Sequence, residues 1–183
     1  MMQPSYDQAC SCIHMDRRPA DLDALGGARA TRDVFVRHYE SLLRLAVLLT
    51  GSRETAEDVV QDVFSKTLPR IVELPDAEQF PYLRAAVWNT WRNVLRRRAV
   101  ERRHRSMASS VRDDEVIENR ETLWGAIRRL PVRQRACVVL RYYEGLTERE
   151  TADVLGCSVG TVKSQTSRAL SHLRKELSDE DRG

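Results

Sequence analysis

The chain is predicted to be all-α, built as two small helical domains joined by a flexible linker. Three observations predict this. Apolar residues recur at helical spacing in every patterned stretch, and no stretch alternates with a period of two. Glycines and prolines fall at the ends of these stretches, where helices start and stop. Aromatic residues are only 6% of the 183 residues against 31% charged, a balance that suits small helical domains better than a β-sandwich. The expected division is a tail over 1–30, a three-helix-type bundle over 31–103, a linker over 104–115, a second helical domain over 116–178 and a short tail over 179–183.

The first 29 residues show no periodicity and are punctuated by Pro4, Pro19, Gly26 and Gly27, a pattern expected to be disordered. From Val34 to Leu49 the apolar positions Phe35, Val36, Tyr39, Leu42, Leu43, Ala46 and Val47 trace one helix face, and Gly51 stops it. A second helix is expected from about Glu54 to Leu68, burying Ala56, Val59, Val60, Val63, Phe64 and Thr67. It carries Asp58, Gln61 and Asp62 on the other side. Pro69 and Pro75 bracket a turn. A third helix should begin near Gln79–Pro81, where proline suits a first turn, and run to about Arg103. Leu83, Val87, Thr90 and Val94 form its inward stripe.

Polar residues including Ser106, Ser109 and Ser110 mark the linker. About a dozen residues reach at most ~40 Å, close to one turn of B-DNA at ~34 Å. Beyond it, Ile117–Leu130 is helical, and Pro131 opens a helix that places Val132, Ala136, Val139, Leu140 and Tyr143 inward until Gly145.

The stretch Glu144–Leu177 carries the most specific pattern. Thr147 and Glu150 form a Thr-x-x-Glu capping box. Gly156 can take the left-handed conformation that ends a helix. Ser158 then caps a second helix whose apolar residues are Val159, Val162, Ala169, Leu170 and Leu173. Helix, short glycine turn and longer helix make a helix-turn-helix. Off its apolar face the second helix offers Thr161, Lys163, Ser164, Gln165, Ser167 and Arg168, groups able to read base edges and phosphates. A merely solvated helix would favour Glu–Lys pairs over Thr, Ser and Gln.

The net charge of +3 hides an asymmetry. Arg96, Arg97, Arg98, Arg102, Arg103 and Arg105 crowd one segment, while Glu54, Glu57, Asp58 and Asp62 make another acidic. Such a chain can face two different partners. Trp88 and Trp91, interleaved with Asn89, Arg92 and Asn93, read in two ways. They cap the small core, or they form an exposed stacking surface for unpaired bases with arginines on the backbone.

No catalytic constellation emerges. His14, His38, His104 and His172 are scattered over separate elements, and no glycine-rich loop resembles a phosphate cradle. Cys10, Cys12 and His14 match no standard zinc spacing, and Cys137 and Cys157 sit at apolar-type positions. No enzyme activity, metal, cofactor or small-molecule substrate is expected. The absence of an apolar run of membrane-spanning length and of a signal-peptide core favours the cytoplasm.

These residues resemble one family. The run LPVRQRACVVLRYYEGLTERETADVLGCSVGTVKSQTSRALSHLRKEL is similar to region 4 of a bacterial RNA polymerase sigma factor. LLRLAVLLTGSRETAEDVVQDVFSKTL resembles regions 2.1–2.2, and PYLRAAVWNTWRNVLRRR resembles regions 2.3–2.4. The direct step from region 2 to region 4 is similar to the extracytoplasmic-function class, in flavour the SigE-like actinobacterial type. The resemblance implies that Asp58, Gln61 and Asp62 meet the β′ clamp helices of core polymerase. It implies that Trp88, Asn89, Trp91 and Arg92, with Arg96 and Arg97, melt and hold the −10 element. It gives Arg149, Thr161, Lys163, Ser164, Gln165 and Arg168 the −35 element, with the β flap as a further polymerase contact. An anti-sigma protein covering the same surfaces fits the family, as does an address at the nucleoid. Gln165 and Thr166 depart from the more basic residues common there. Two other readings compete: a stand-alone helix-turn-helix regulator, and an interaction module that titrates a regulator without touching DNA.

Overall fold

A computed structural model describes residues 24–105 and 123–180. Cys10, Cys12 and His14, most of the expected tail and linker, and Ile117 lie outside the described residues. Among the described residues there are seven α-helices and one π-helical turn, with no strand. They are α1 (Ala24–Thr50), α2 (Arg53–Ile71), α3 (Asp76–Arg105), α4 (Leu123–Arg129), α5 (Val132–Val138), the π-turn (Val139–Tyr143), α6 (Glu148–Leu155) and α7 (Val159–Glu180).

Helices α1, α2 and α3 pack on one another as a three-helix bundle. Its centre holds Leu42, Leu45, Leu49, Val59, Val60, Val63, Ile71, Leu83 and Val87, all essentially withdrawn from water. Gly51, at φ 81°, turns the chain between α1 and α2 in a conformation that favours glycine. The Ser52 side chain then caps α2 by accepting from the Thr55 amide at 3.3 Å.

Two prolines behave differently from expectation. Helix α2 runs through Pro69 to Ile71 instead of stopping before it. A proline interrupts one backbone hydrogen bond, and here the fully buried Ile71 anchors the last turn to the core. Helix α3 starts at Asp76, so Pro81 falls in its second turn and not its first. Gln79, itself buried, ties this start down: it donates to the Leu74 carbonyl at 3.1 Å and bonds the His38 ring at 3.0 Å.

In the second half, α5 and α6 pack against α7 with α4 along its far end. Ala126, Leu130, Val138, Ala169 and Leu173 form a small cluster there, and Arg129 pairs with Glu176 at 2.6 Å. The capping box is present as expected. Thr147 Oγ1 accepts from the Glu150 amide at 3.2 Å, and the Glu150 carboxylate accepts from the Thr147 amide at 2.7 Å.

The two halves dock on each other. Helix α1 meets α5 and the π-turn, and α3 meets α6. One continuous apolar cluster runs from Leu42 and Val60 through Trp88 and Trp91 to Ala136, Leu140, Leu146, Ala152 and Leu155.

Candidate nucleic-acid and polymerase interfaces

The helix-turn-helix is set by local backbone chemistry. Gly156 takes φ 63° and closes α6, its amide reaching back to the Asp153 carbonyl at 3.3 Å. Ser158 Oγ accepts from the Thr161 amide at 3.2 Å and starts α7. Val162, with no exposure, and Ala169 pin the inner face of α7. Its outer face then presents Lys163, Ser164, Ser167 and Arg168 to solvent, with Thr161 and Gln165 partly covered. Lys163 reaches Glu148 of α6 at 3.5 Å, while the Ser164 hydroxyl bonds the Thr161 carbonyl at 3.0 Å. Arg149 is exposed at the start of α6. All six residues assigned to duplex reading therefore belong to one motif.

The acidic group lies on α2. Asp58 and Gln61 are exposed, and Asp62, one turn after Asp58 and next to Gln61, pairs with Lys66 at 2.6 Å. Val59, Val60 and Val63 bury the opposite side, so the core orients the carboxylates outward.

The tryptophans differ from the exposed stacking surface considered above. Trp88 and Trp91 are each 4% exposed. At about 100° per residue, Arg84, Trp88, Trp91 and Arg92 share one arc of α3, next to the core arc of Leu83, Val87 and Val94. That arc meets the second half of the chain, which covers it. Asn89 is partly covered, whereas Arg96 and Arg97 are exposed on the free continuation of α3. Arg98 lies over the Trp91 ring at 5.7 Å.

Sequence reasoning missed the residues that join the halves. Arg84 Nη1 meets Glu144 Oε2 at 3.4 Å, with side chains only 12% and 9% exposed. Arg135 donates to the Arg128 carbonyl at 2.8 Å and to the Thr50 carbonyl at 3.3 Å. Burial, and next the neighbouring Arg128, lower its pKa to about 10. The one available signal was Arg84 itself, a turn ahead of Trp88 in the same stripe. The thiols look structural: burial first, then Cys157, pushes Cys137 up to about 11, and burial also raises Cys157.

A family model described as Sigma-70, region 4 matches residues 120–173. The RNA polymerase sigma-E factor of Streptomyces antibioticus is 34% identical over 162 residues, covering 86% of this chain and 90% of that protein. The chain belongs to the extracytoplasmic-function family of RNA polymerase sigma factors. Within that family it is of the SigE-like actinobacterial type. The ECF RNA polymerase sigma factor SigM of Mycobacterium tuberculosis is 31% identical over 162 residues, covering 83% of this chain and 79% of SigM. In fold, this sigma factor is similar to the sigma factor RpoE of Bartonella quintana, solved in complex with the anti-sigma factor NepR. The TM-score is 0.64 at 22% identity, covering 80% of this chain and 96% of that one. Among the described residues of this sigma factor, no helix is long and apolar enough to cross a membrane.

Proposed function

We propose that this sigma factor directs core RNA polymerase to its promoters through three surfaces placed on separate elements. Asp58, Gln61 and Asp62 of α2 take the β′ clamp helices, an acidic patch suited to a basic partner. Trp88, Asn89, Trp91 and Arg92, with Arg96 and Arg97, melt and hold the −10 element by stacking and phosphate contacts. Arg149, Thr161, Lys163, Ser164, Gln165 and Arg168 read the −35 element, and the same domain touches the β flap. The observation that carries this reading is the helix-turn-helix closed at Gly156, with a polar α7 face beyond it. The units are 31–103 and 116–178, connected by 104–115. The sigma factor supplies specificity rather than a chemical step, and it works in the cytoplasm at the nucleoid. An anti-sigma protein that occupies both DNA-facing surfaces is a further partner.

The test is run-off transcription with purified core polymerase and a promoter library. Start-site-specific transcripts that need this chain support the reading. Tight sequence-specific binding to duplex by the free chain, with no effect on the polymerase, favours a stand-alone regulator instead.

A further inference from the structure

The outer face of α7 is thin in positive charge, and part of that charge is already engaged. Lys163, Ser164, Ser167 and Arg168 are its exposed residues, so the face offers a lysine and an arginine among hydroxyls. Lys163 Nζ lies 3.5 Å from Glu148 Oε2, with side chains 63% and 39% exposed. The pair bridges the two helices of the motif: Glu148 opens α6, and Lys163 lies in the second turn of α7. Gly156 at φ 63° and the Ser158 cap set the turn between these helices, so the backbone keeps the two side chains within reach.

The start of α6 does not need Glu148 for its cap. Glu150 supplies the carboxylate of the capping box, accepting from the Thr147 amide at 2.7 Å. An acidic side chain at a helix start gains from the helix dipole. In a helix-turn-helix, however, the first helix crosses the DNA backbone, and a carboxylate there repels phosphates. Glu148 is therefore a group that opposes duplex binding, placed on the motif that performs it.

An unpaired lysine grips any phosphate, and each such contact releases counterions whatever the sequence. A lysine held by a carboxylate contributes less of this indiscriminate binding. Its ammonium stays at one place on the face, where it meets guanine acceptors in the major groove only when the right base is present. A repulsive group can in this way raise selectivity while lowering affinity. We propose that Glu148 is a positioning residue for promoter selectivity: it pairs with Lys163, withdraws that lysine from indiscriminate phosphate contacts and widens the gap between matched and unmatched −35 duplex. This rests on the −35 role given to α7.

The experiment uses holoenzyme assembled from core polymerase and the full chain. Two promoter fragments are compared, one with a −35 element selected from the promoter library and one with that element scrambled. Equilibrium binding is measured for wild type, Glu148→Gln, Lys163→Gln and the double variant between about 50 and 200 mM potassium chloride. Glu148→Gln is expected to bind the scrambled fragment on the order of twofold to fivefold more tightly, the worth of an exposed ion pair. Its salt slope should be steeper by about one. The matched fragment gains less, so the selectivity ratio falls. In the Lys163→Gln background, Glu148→Gln should change neither affinity nor slope. A merely structural role for Glu148 would weaken binding to both fragments, and that result overturns the inference. An unchanged selectivity ratio also overturns it, as does an equal gain in the Lys163→Gln background, which would make Glu148 a phosphate repeller in its own right. Wild-type holoenzyme that binds both fragments alike overturns the −35 reading itself.

Discussion

The Arg135 guanidinium bonds the Thr50 carbonyl across 85 residues of sequence, with no carboxylate among its hydrogen-bond partners in the described residues. It is compensated by carbonyls alone, here at a helix C-terminus where backbone oxygens lack partners. Its folded pKa of about 10 lies below the ordinary arginine value. The unfolded chain therefore holds more protons between those values, and stability should rise with pH there. Below about pH 10 both states are protonated and the contribution is flat. Urea unfolding of wild type and Arg135→Met from pH 8 to 11.5 checks this: the wild type should gain relative to the variant only above about pH 10.

The capping box gives a prediction on the acid side. Hydrogen bonds from Thr147 hold the Glu150 carboxyl below its usual 4.5. Its contribution is then present above pH 4.5 and lost as pH falls through the lower folded value. Thr147→Ala should cost about 1 kcal/mol at neutral pH. In denaturant titrations, the difference between wild type and Glu150→Gln should shrink below pH 4.5.

Leu140, wholly buried, belongs to the cluster that joins the halves. Leu140→Ala should destabilise the protein by roughly 2–5 kcal/mol through lost burial and the cavity left behind. Thermal unfolding measures it. Truncating Val36, 68% exposed, should stay within about 0.5 kcal/mol.

On the DNA side, Arg168→Ala should cost on the order of 1–3 kcal/mol if the side chain meets a base, and relax selectivity at one promoter position. A uniform loss with a shallower salt slope would instead assign it to a phosphate. Competition binding across −35 variants at two salt concentrations separates the two.

Charge reversal at Asp58 and Asp62 should weaken core polymerase binding while leaving far-UV circular dichroism unchanged. Neither side chain supports the fold beyond the surface pair of Asp62 with Lys66. Equal affinity for core in a pull-down titration would remove α2 from the polymerase interface.

The helix-turn-helix was legible because its signals are local: Thr147 and Glu150 are three residues apart, and Gly156 and Ser158 mark one turn. The inward stripe of α2 was legible by periodicity, but that of α1 only in part: Leu42, Leu43 and Ala46 are buried, whereas Phe35 and Val36 are exposed and Val34, Leu45 and Leu49 face the core in their place. Pro69 misled because its cost is set by one lost bond, while the buried Ile71 that outweighs it lies beyond. The docking of the halves was not legible. Arg84 and Glu144 are separated by 60 residues, and nothing in either neighbourhood names the other. Trp88 and Trp91 carry no periodic signal that separates a covered ring from an exposed one, since both arcs of α3 contain apolar side chains.

Helix α7 presents Lys163 and Ser164 near one end and is clamped through Ala169 and Leu173 against α4 and α5 further along. At 1.5 Å per residue, Thr161 and Leu173 are about 18 Å apart on a single rigid rod. The rod acts as a lever: a tilt of a few degrees at its fulcrum swings the tip sideways. On the proposed reading of the −35 element, promoter choice should then respond to methyl groups at Ala169 and Leu173 that never approach a base.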